Sequence, residues 1–332
     1  MKPQELQSLL RKTIPAGLPV VIKGAPGVGK SEIVDQVCRM LDADLIIEHP
    51  VVSDPTDYKG LPFANKNGEA EFLPFGNLRK LINVERRTVC FLDDLGQASV
   101  SVQAACMQLL LARRINGHKV SDQVTFLAAT NRHTDRSGVT GLLEAVKSRF
   151  ATIVELAPDV EDWVAWALDH NIPTELIQFI RFRPNMLHDF KPTNELKNSP
   201  CPRTIVNASR LMQAGIPAGI EYETYTGSAG EGFAAEFCGF LKIFRSLPNP
   251  DAVLLAPEKA DVPTDPATLY AICGSLARRA SENTMERIVT YARRLPAEFS
   301  VLMVQDSYKL CPEVQNTRAF ITWASENQDV LI

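Results

Sequence analysis

The sequence has no surplus of positive charge. Its 332 residues include 35 lysines and arginines against 39 aspartates and glutamates, which gives a net charge of -4 and an isoelectric point near 5.8. Non-specific binding to nucleic acid depends on clustered positive charge. Three arginine pairs, at 113–114, 278–279 and 293–294, are isolated and typical of solvated helix faces. The composition therefore argues against nucleic acid as a partner.

Long hydrophobic runs and paired cysteines are also missing. No stretch approaches the ~18 to 20 apolar residues that a membrane-spanning helix needs, and residues 1–10 lack the apolar core of a signal peptide. The seven cysteines stand singly, with no CxxC pair, and there are only five histidines. We therefore expect a cytoplasmic protein with no membrane span, no disulfide framework and no histidine-built metal site.

The first half of the chain alternates strand patterns with helix patterns. Short apolar, β-branched runs of strand length stand at 18–24, 43–49, 88–94, 124–131 and 151–156. Runs that are apolar on both faces are typical of a parallel sheet covered by helices. After about residue 158 only amphipathic helix patterns follow. The sequence thus predicts an α/β domain, a parallel sheet sandwiched by helices, followed by an all-α region.

The stretch GAPGVGKS at 24–31 has the glycine, lysine and serine spacing of a phosphate-binding P-loop. It follows an apolar strand pattern and opens the helix pattern SEIVDQVCRML, which is the context that such a loop requires. Backbone N–H groups and the helix N-terminus attract phosphate. Lys30 is the candidate to reach the β- and γ-phosphates, and Ser31 to bind Mg²⁺. The residues expected to bind the nucleotide here are Gly24, Ala25, Pro26, Gly27, Val28, Gly29, Lys30, Ser31 and Glu32.

Two carboxylates end the next strongly apolar run, TVCFLDD at 88–94. The carboxyl end of such a strand is where a metal ion and a water molecule would lie. Asp93 is the candidate partner of Mg²⁺, directly or through water, and Asp94 the candidate general base for the attacking water. An acidic turn without a chemical role is the alternative.

These motifs, together with VTFLAATNRHTDRSGVTGLLEAVKSRF at 124–150, resemble the AAA+ ATPases and, within them, the MoxR-like, dynein-related group. The resemblance is specific over about residues 15–215. In that group the second acid is normally Glu, in a pattern such as DEINRA, whereas this chain has DDLGQA at 93–98. The shorter Asp94 draws the carboxylate back by about one methylene, so water activation is expected to be slower or to need another group.

The resemblance implies further roles, residue by residue. Asn131 is similar to sensor 1, which orients the lytic water. Arg149 matches the arginine finger, which acts on nucleotide held by a neighbouring subunit, with Arg132 and Arg136 as rivals for that role. Arg203 is similar to sensor 2, carried on a lid helix. A strand-end turn residue at 131 and surface arginines are the alternatives.

The same resemblance, with the element patterns, predicts the domain organisation. We expect an AAA+ nucleotide-binding core at 1–157 with a β-hairpin insert at about 50–80, a helical lid at 158–245 and a C-terminal helical extension at 246–332. The hairpin would turn at Asn67 and Gly68, and it would either grip a partner or pack Phe63 and Phe72 inward. The glycine-rich TGSAGEG at 226–232 reads as a flexible linker.

The implied activity is hydrolysis of ATP with Mg²⁺ in a homo-oligomeric ring, and the resemblance implies that this ring is a hexamer. The resemblance implies a chaperone-like role in remodelling or maturing a client protein, often with a partner that contains a von Willebrand factor A domain. Three alternatives stay open: a DNA-directed motor, a nucleotide-gated scaffold with little intrinsic hydrolysis, and a small-molecule P-loop kinase.

Overall fold

A computed structural model describes residues 1–135 and 141–327 of the chain. They divide into two compact units, the first formed by Met1–Asp159 with Phe190–Glu195 and the second by Val160–Asp189 with Leu196–Ile332. The predicted lid at 158–245 falls in the second unit except for residues 158–159 and 190–195, and the predicted C-terminal extension falls in the second unit. The boundaries drawn at 157 and 245 stay predictions. None of the helices in the described ranges is long and apolar enough to cross a membrane.

The first unit contains both helices and strands. Its helices are α1 (Pro3–Thr13), α2 (Lys30–Met40), α3 (Pro55–Lys59), α4 (Gly76–Asn83), α5 (Val100–Ala112) and α6 (Glu144–Lys147). Its strands are β1 (Val20–Lys23), β2 (Asp44–Glu48), β3 (Leu61–Ala64), β4 (Ala70–Leu73), β5 (Thr88–Leu92), β6 (Arg114–Ile115), β7 (His118–Lys119), β8 (Val124–Thr130) and β9 (Thr152–Glu155).

Five of these strands form one parallel sheet in the order β2-β5-β8-β1-β9. The predicted parallel sheet is therefore confirmed, and each of its strands lies within one of the five apolar runs of the sequence. β5 and β8 are buried along their whole length, whereas the edge strands β2 and β9 are partly exposed. The three central strands thus form the most buried part of the sheet.

Alternation along the strands divides the core between the two faces of the sheet. Val20 and Ile22 of β1 pack on the face covered by α1 and α2, and Val21 packs on the face covered by α4 and α5. Successive side chains of a strand point to opposite faces, so an uninterrupted apolar run needs helices on both sides. This arrangement is the predicted sandwich of a sheet between helices.

A β-hairpin lies in the region where the sequence predicts an insert. β3 pairs antiparallel with β4, and the Asn65 side chain accepts hydrogen bonds from the backbone N–H groups of Asn67 and Glu69, each at 3.0 Å. Gly68 supplies the left-handed residue of the turn, with φ of 81°. Phe63 is 60% exposed and Phe72 is 37% exposed, so the alternative in which both pack inward is wrong.

The second unit consists of helices within its described residues. They are α7 (Val160–Asp169), α8 (Thr174–Phe182), α9 (Pro202–Gln213), α10 (Glu221–Ala229), α11 (Glu231–Ser246), α12 (Pro250–Leu255), α13 (Pro266–Ala277), α14 (Met285–Ala292), α15 (Ala297–Leu310) and α16 (Arg318–Glu326). One apolar cluster is centred on α7, α8, α9 and α11, and another on α13 to α16. The predicted all-α region is confirmed.

The glycine-rich stretch 226–232 is not a linker. Thr226 to Ala229 form the last turn of α10, and α11 begins at Glu231. Gly230 alone separates the helices, with φ of 94°, and a Cβ there would lie 2.8 Å from the carbonyl oxygen of Asn198. The prediction of a flexible linker was wrong because tertiary packing decides the helical state of such short, weakly patterned segments.

A buried ion pair joins the two apolar clusters of the second unit. The Arg181 guanidinium on α8 donates to both carboxylate oxygens of Asp306 on α15, one contact being 2.8 Å, and Gln178 donates to the same carboxylate at 3.1 Å. The Asp306 side chain is 1% exposed. Burial on its own would lower the pKa of Arg181, but the bonds and charge of Asp306 outweigh it and raise that pKa. The Arg181 guanidinium therefore keeps its charge.

Substitution of Asp306→Ala is expected to destabilise the second unit by about 3 to 5 kcal/mol, because it leaves the Arg181 charge buried without a partner. Arg181→Met combined with Asp306→Leu should cost less, since it removes both charges. All three tryptophans lie in this unit, so urea unfolding followed by tryptophan fluorescence reports on it. Asp251→Ala, which breaks an exposed pair with Arg279, is the control. Equal losses for Asp306→Ala and Asp251→Ala would contradict the expectation.

Candidate functional site

The carboxyl ends of the three central strands bring the predicted site residues together. β8 pairs with β5 on one side and with β1 on the other, all in parallel. The P-loop follows β1, Asp93 and Asp94 follow β5, and Asn131 follows β8. The carboxyl ends of parallel strands open into one crevice. We refer to Lys30, Ser31, Asp93, Asp94 and Asn131 as the strand-end site.

The backbone of the P-loop takes the shape that an anion-binding turn requires. Gly27 and Gly29 have positive φ angles of 75° and 97°, in the region that favours glycine. A Cβ on Gly24 would lie 3.0 Å from the carbonyl oxygen of Leu156. Gly29 is also the residue before α2, so the unpaired N–H groups of the first turn of α2 face the loop. The loop offers N–H donors without side chains in the way.

Lys30 is buried and held by oxygen atoms of the first unit. Its ammonium group donates to the carbonyl oxygens of Gly24 at 2.9 Å and Ala25 at 3.1 Å, and to the Asn131 side-chain oxygen at 2.7 Å. Lys30 is 7% exposed. A buried ammonium needs such acceptors, and they are bonds that a nucleotide phosphate can replace. The lysine therefore lies at the strand-end site and is joined directly to Asn131.

Ser31 and Asp93 present the oxygen atoms that suit a magnesium ion. The Ser31 hydroxyl donates to the Asp93 carboxylate at 2.8 Å, and the Asp93 backbone N–H donates to the carbonyl oxygen of Glu48 at 2.9 Å. Hydroxyl and carboxylate oxygens are the ligands that Mg²⁺ takes when nucleotide phosphates and water complete its shell. Among the described residues no group of three His, Cys, Asp or Glu could hold a metal by itself. The residues therefore fit a shared magnesium site better than a protein cage.

Asp94 lies beside Asn131 in a left-handed backbone conformation. Its φ of 57° begins a short 3-10 turn at Leu95–Gln97. One carboxylate oxygen, Oδ1, accepts from Gln97 Nε2 at 2.9 Å and from Asn131 Nδ2 at 3.3 Å. A chain of hydrogen bonds therefore runs from Lys30 through Asn131 to Asp94 and Gln97. The sequence analysis missed Gln97, although it stands in DDLGQA where the pattern DEINRA has arginine.

The other predicted residues lie outside this chain of hydrogen bonds. The Glu32 side chain is exposed and accepts from Gln36 at 3.2 Å. Arg132 is paired with the buried Asp135 at 3.0 Å. Arg136 lies outside the described residues. Arg203 is exposed on the first turn of α9, in the second unit, and its sensor role stays a prediction.

Arg149 follows α6 and makes only local hydrogen bonds. Its guanidinium donates to the carbonyl oxygen of Ala145 and to the Ser148 hydroxyl, the second at 3.0 Å. Within the described residues its Nε is buried and has no hydrogen-bond acceptor. The guanidinium thus forms no hydrogen bond with the strand-end site of its own chain, as a finger for another chain would require, but that role stays a prediction.

Comparison with known proteins gives a family match within the first unit. Residues 19–150 match the AAA domain of the dynein-related subfamily. No curated protein matches the chain. Among solved structures, a mutant of Thermotoga maritima RuvB is 16% identical, covers 82% of both chains and has a TM-score of 0.45. NtrX from Brucella abortus in complex with ADP is 12% identical, covering 99% of this chain and 68% of that chain with a TM-score of 0.36.

The contact between Lys30 and Asn131 leads to a test by substitution. Asn131→Asp replaces the amide oxygen that lies 2.7 Å from the lysine ammonium by a carboxylate oxygen, which stabilises the bond that ATP must replace and also repels its phosphates. We expect the dissociation constant for a fluorescent ATP analogue to rise by at least about 10-fold, and Asn131→Ala should raise it much less. Equal affinities for the two variants would contradict this account of Lys30.

Proposed function

We propose that this chain, whose residues 19–150 match the AAA domain of the dynein-related subfamily, hydrolyses Mg·ATP at the strand-end site within a ring of identical subunits. The hydrogen-bond chain from Lys30 to Asp94 carries this proposal, since it joins a phosphate-binding lysine to a candidate base. ATP is the substrate, and the ring supports a mechanical role.

Binding of the triphosphate uses the P-loop and its lysine. The loop N–H groups and the start of α2 hold the β-phosphate, and the Lys30 ammonium exchanges its present acceptors for phosphate oxygens. Ser31 and Asp93 are the residues that would hold Mg²⁺, which neutralises charge on the β- and γ-phosphates when it is bound.

Hydrolysis uses the two side chains that follow β5 and β8. Asn131 and Asp94 hold a water molecule in line with the γ-phosphorus. As the water oxygen bonds to phosphorus, the bond to the β–γ bridging oxygen breaks, and its electron pair stays on ADP. The proton of the water passes to the Asp94 carboxylate. The products are ADP and inorganic phosphate, and Asp94 returns its proton to solvent or phosphate.

A neighbouring subunit completes the site with Arg149. A guanidinium placed at the transferring phosphoryl group neutralises the charge that spreads over it, which typically contributes a factor of about 10³ to 10⁵ in rate. The local bonds of Arg149 and its unpartnered Nε support action on another chain. Head-to-tail contacts of this kind close into rings, and a hexamer is the ring size we propose.

The partner that we propose is a protein, handled in a MoxR-like chaperone role. The β3–β4 hairpin exposes the apolar side chains of Leu61, Phe63 and Leu73. Its one basic residue, Lys66, is outnumbered by Glu69 and Glu71, so the hairpin lacks the clustered positive charge that grips DNA. The net charge of -4 supports the same choice. We also propose that the chain works with a partner that contains a von Willebrand factor A domain, and that the chain itself is cytoplasmic.

Mixing two inactive variants tests the shared site. Alone, Asp94→Asn removes the base and Arg149→Ala removes the finger, so each should lose at least about 100-fold in phosphate release. In mixed rings, one subunit's Asp94 meets another subunit's Arg149 at about a quarter of the interfaces of a random equimolar ring. Activity should therefore return to about that fraction of the wild type.

Controls separate the alternatives. Light scattering must show that each variant still assembles. A mixture that stays inactive while rings form would contradict action in trans. Strong stimulation of the wild type by DNA would favour the DNA-directed motor, and tight ATP binding with no phosphate release would favour the scaffold. A phosphorylated small molecule in place of free phosphate would favour the kinase.

A further inference from the structure

We infer that Gln97 is a positioning residue that compensates for the short side chain of Asp94. The inference rests on the proposed function, because it assigns a role within the same hydrolytic site. In the DDLGQA pattern an aspartate, Asp94, stands where the family usually has a glutamate, and its carboxylate must still activate the attacking water. The amide groups of Gln97 and Asn131 both donate to one oxygen of the Asp94 carboxylate.

The position of Gln97 is fixed by the turn that begins at Asp94. The Gln97 backbone N–H donates to the Asp94 carbonyl oxygen at 3.0 Å, and its side-chain Nε2 donates to Asp94 Oδ1 at 2.9 Å. Leu95 is fully buried between them. The Gly96 carbonyl oxygen accepts from the Gly141 N–H at 3.2 Å, which fixes the turn from the other side. Backbone and side chain therefore hold the carboxylate together.

The amides of Gln97 and Asn131 both donate to Oδ1 of Asp94, and neither donates to Oδ2. Gln97 and Asn131 donate to Oδ1 of Asp94 from two different elements, which fixes the plane of the carboxylate. Among the described residues no hydrogen bond reaches Oδ2. An ionised carboxylate accepts at both oxygens, so Oδ2 is the atom that remains to take the proton of the attacking water.

The amide oxygen of Gln97 is the other polar atom of this side chain. Oε1 is buried and has no hydrogen-bond partner among the described residues. The amide cannot be reversed to satisfy it, because Oε1 would then face the Asp94 carboxylate, acceptor against acceptor. A buried acceptor without a donor destabilises the protein by about 1 to 3 kcal/mol, and such atoms in native proteins call for an explanation.

A water molecule beside Asp94 explains both observations. Water has two hydrogens to donate, and Asp94 Oδ2 and Gln97 Oε1 are two acceptors on side chains that the bond from Gln97 Nε2 to Asp94 Oδ1 joins. A water bound to both is oriented without the reach of a glutamate side chain. The arginine of the DEINRA pattern has only donors and offers no acceptor for the water. Asp94 and Gln97 therefore act together: Gln97 orients the water molecule, and Asp94 accepts its proton.

The alternative is that Gln97 only stabilises its turn. A structural role predicts lower stability and a loss of ATP binding and turnover together. The positioning role predicts a loss of turnover alone, and it predicts that the loss depends on the length of the acid at 94. These two outcomes differ in steady-state kinetics, so the inference can be tested without a structure of the complex.

The test is a double-mutant cycle in the full chain with Mg·ATP. Gln97→Met keeps the length of the side chain and removes both polar atoms, and we expect kcat to fall by about 10-fold to 100-fold with KM and the ATP dissociation constant changed by less than about 3-fold. In the Asp94→Glu background, where the acid reaches further, Gln97→Met should cost less than about 3-fold. Gln108→Met, on the exposed face of α5, is the matched control.

The possible outcomes of this cycle either support or contradict the positioning role of Gln97. Equal losses in both backgrounds, or a Gln97→Met enzyme no slower than Gln108→Met, would overturn the inference while leaving the proposed function intact. A wild-type ring that releases no phosphate would overturn the proposed function and the inference with it. If Gln97→Met fails to assemble, Gln97→Glu replaces it, because the glutamate keeps the shape and an acceptor but loses the donor to Asp94. A Gln97→Glu enzyme as fast as the wild type would then overturn the inference.

Discussion

The parallel register of β1, β8 and β5 is the constraint on which the rest of the first unit depends. Lys23 is level with Thr130, and Leu92 with Ala128, so the residues that follow the strands emerge at one edge of the sheet. No loop has to bend far to bring lysine, acid and amide together. A slip by one residue in a strand that is buried on both faces would move every side chain into the opposite layer of the core, where it no longer fits its close-packed neighbours. The hydrophobic core therefore sets the geometry of the site.

A continuous set of hydrogen bonds links the polar groups that this strand register brings together. The Lys30 ammonium, the Asn131 amide, the Asp94 carboxylate and the Gln97 amide are joined in sequence. Each bond crosses from one strand end to another or closes a turn at a strand end. Lys30 and Asn131 are buried, where polar contacts are stronger than in water and an unpaired group is costly. A phosphate that displaces Asn131 from Lys30 therefore changes the surroundings of Asp94 as well.

The sequence predicts the parts that depend on local pattern. The P-loop, the five strands and the placement of both acids follow from spacing and alternation, which act over a few residues. Gln97 was missed because its role depends on the left-handed conformation of Asp94, which no pattern of residue types reveals. The ion pair between Arg181 and Asp306 joins residues 125 positions apart, and such long-range pairs cannot be inferred from one sequence. The helical state of 226–229 is likewise decided by packing.

The most direct measurement of the central claim is specific phosphate release from Mg·ATP over a range of wild-type protein concentrations, with assembly followed by light scattering. A site completed by Arg149 of a neighbour requires contact between subunits. Turnover per subunit should therefore rise as rings form and then reach a plateau. Turnover per subunit that is already maximal in dilute monomers, and unchanged on assembly, would contradict the account.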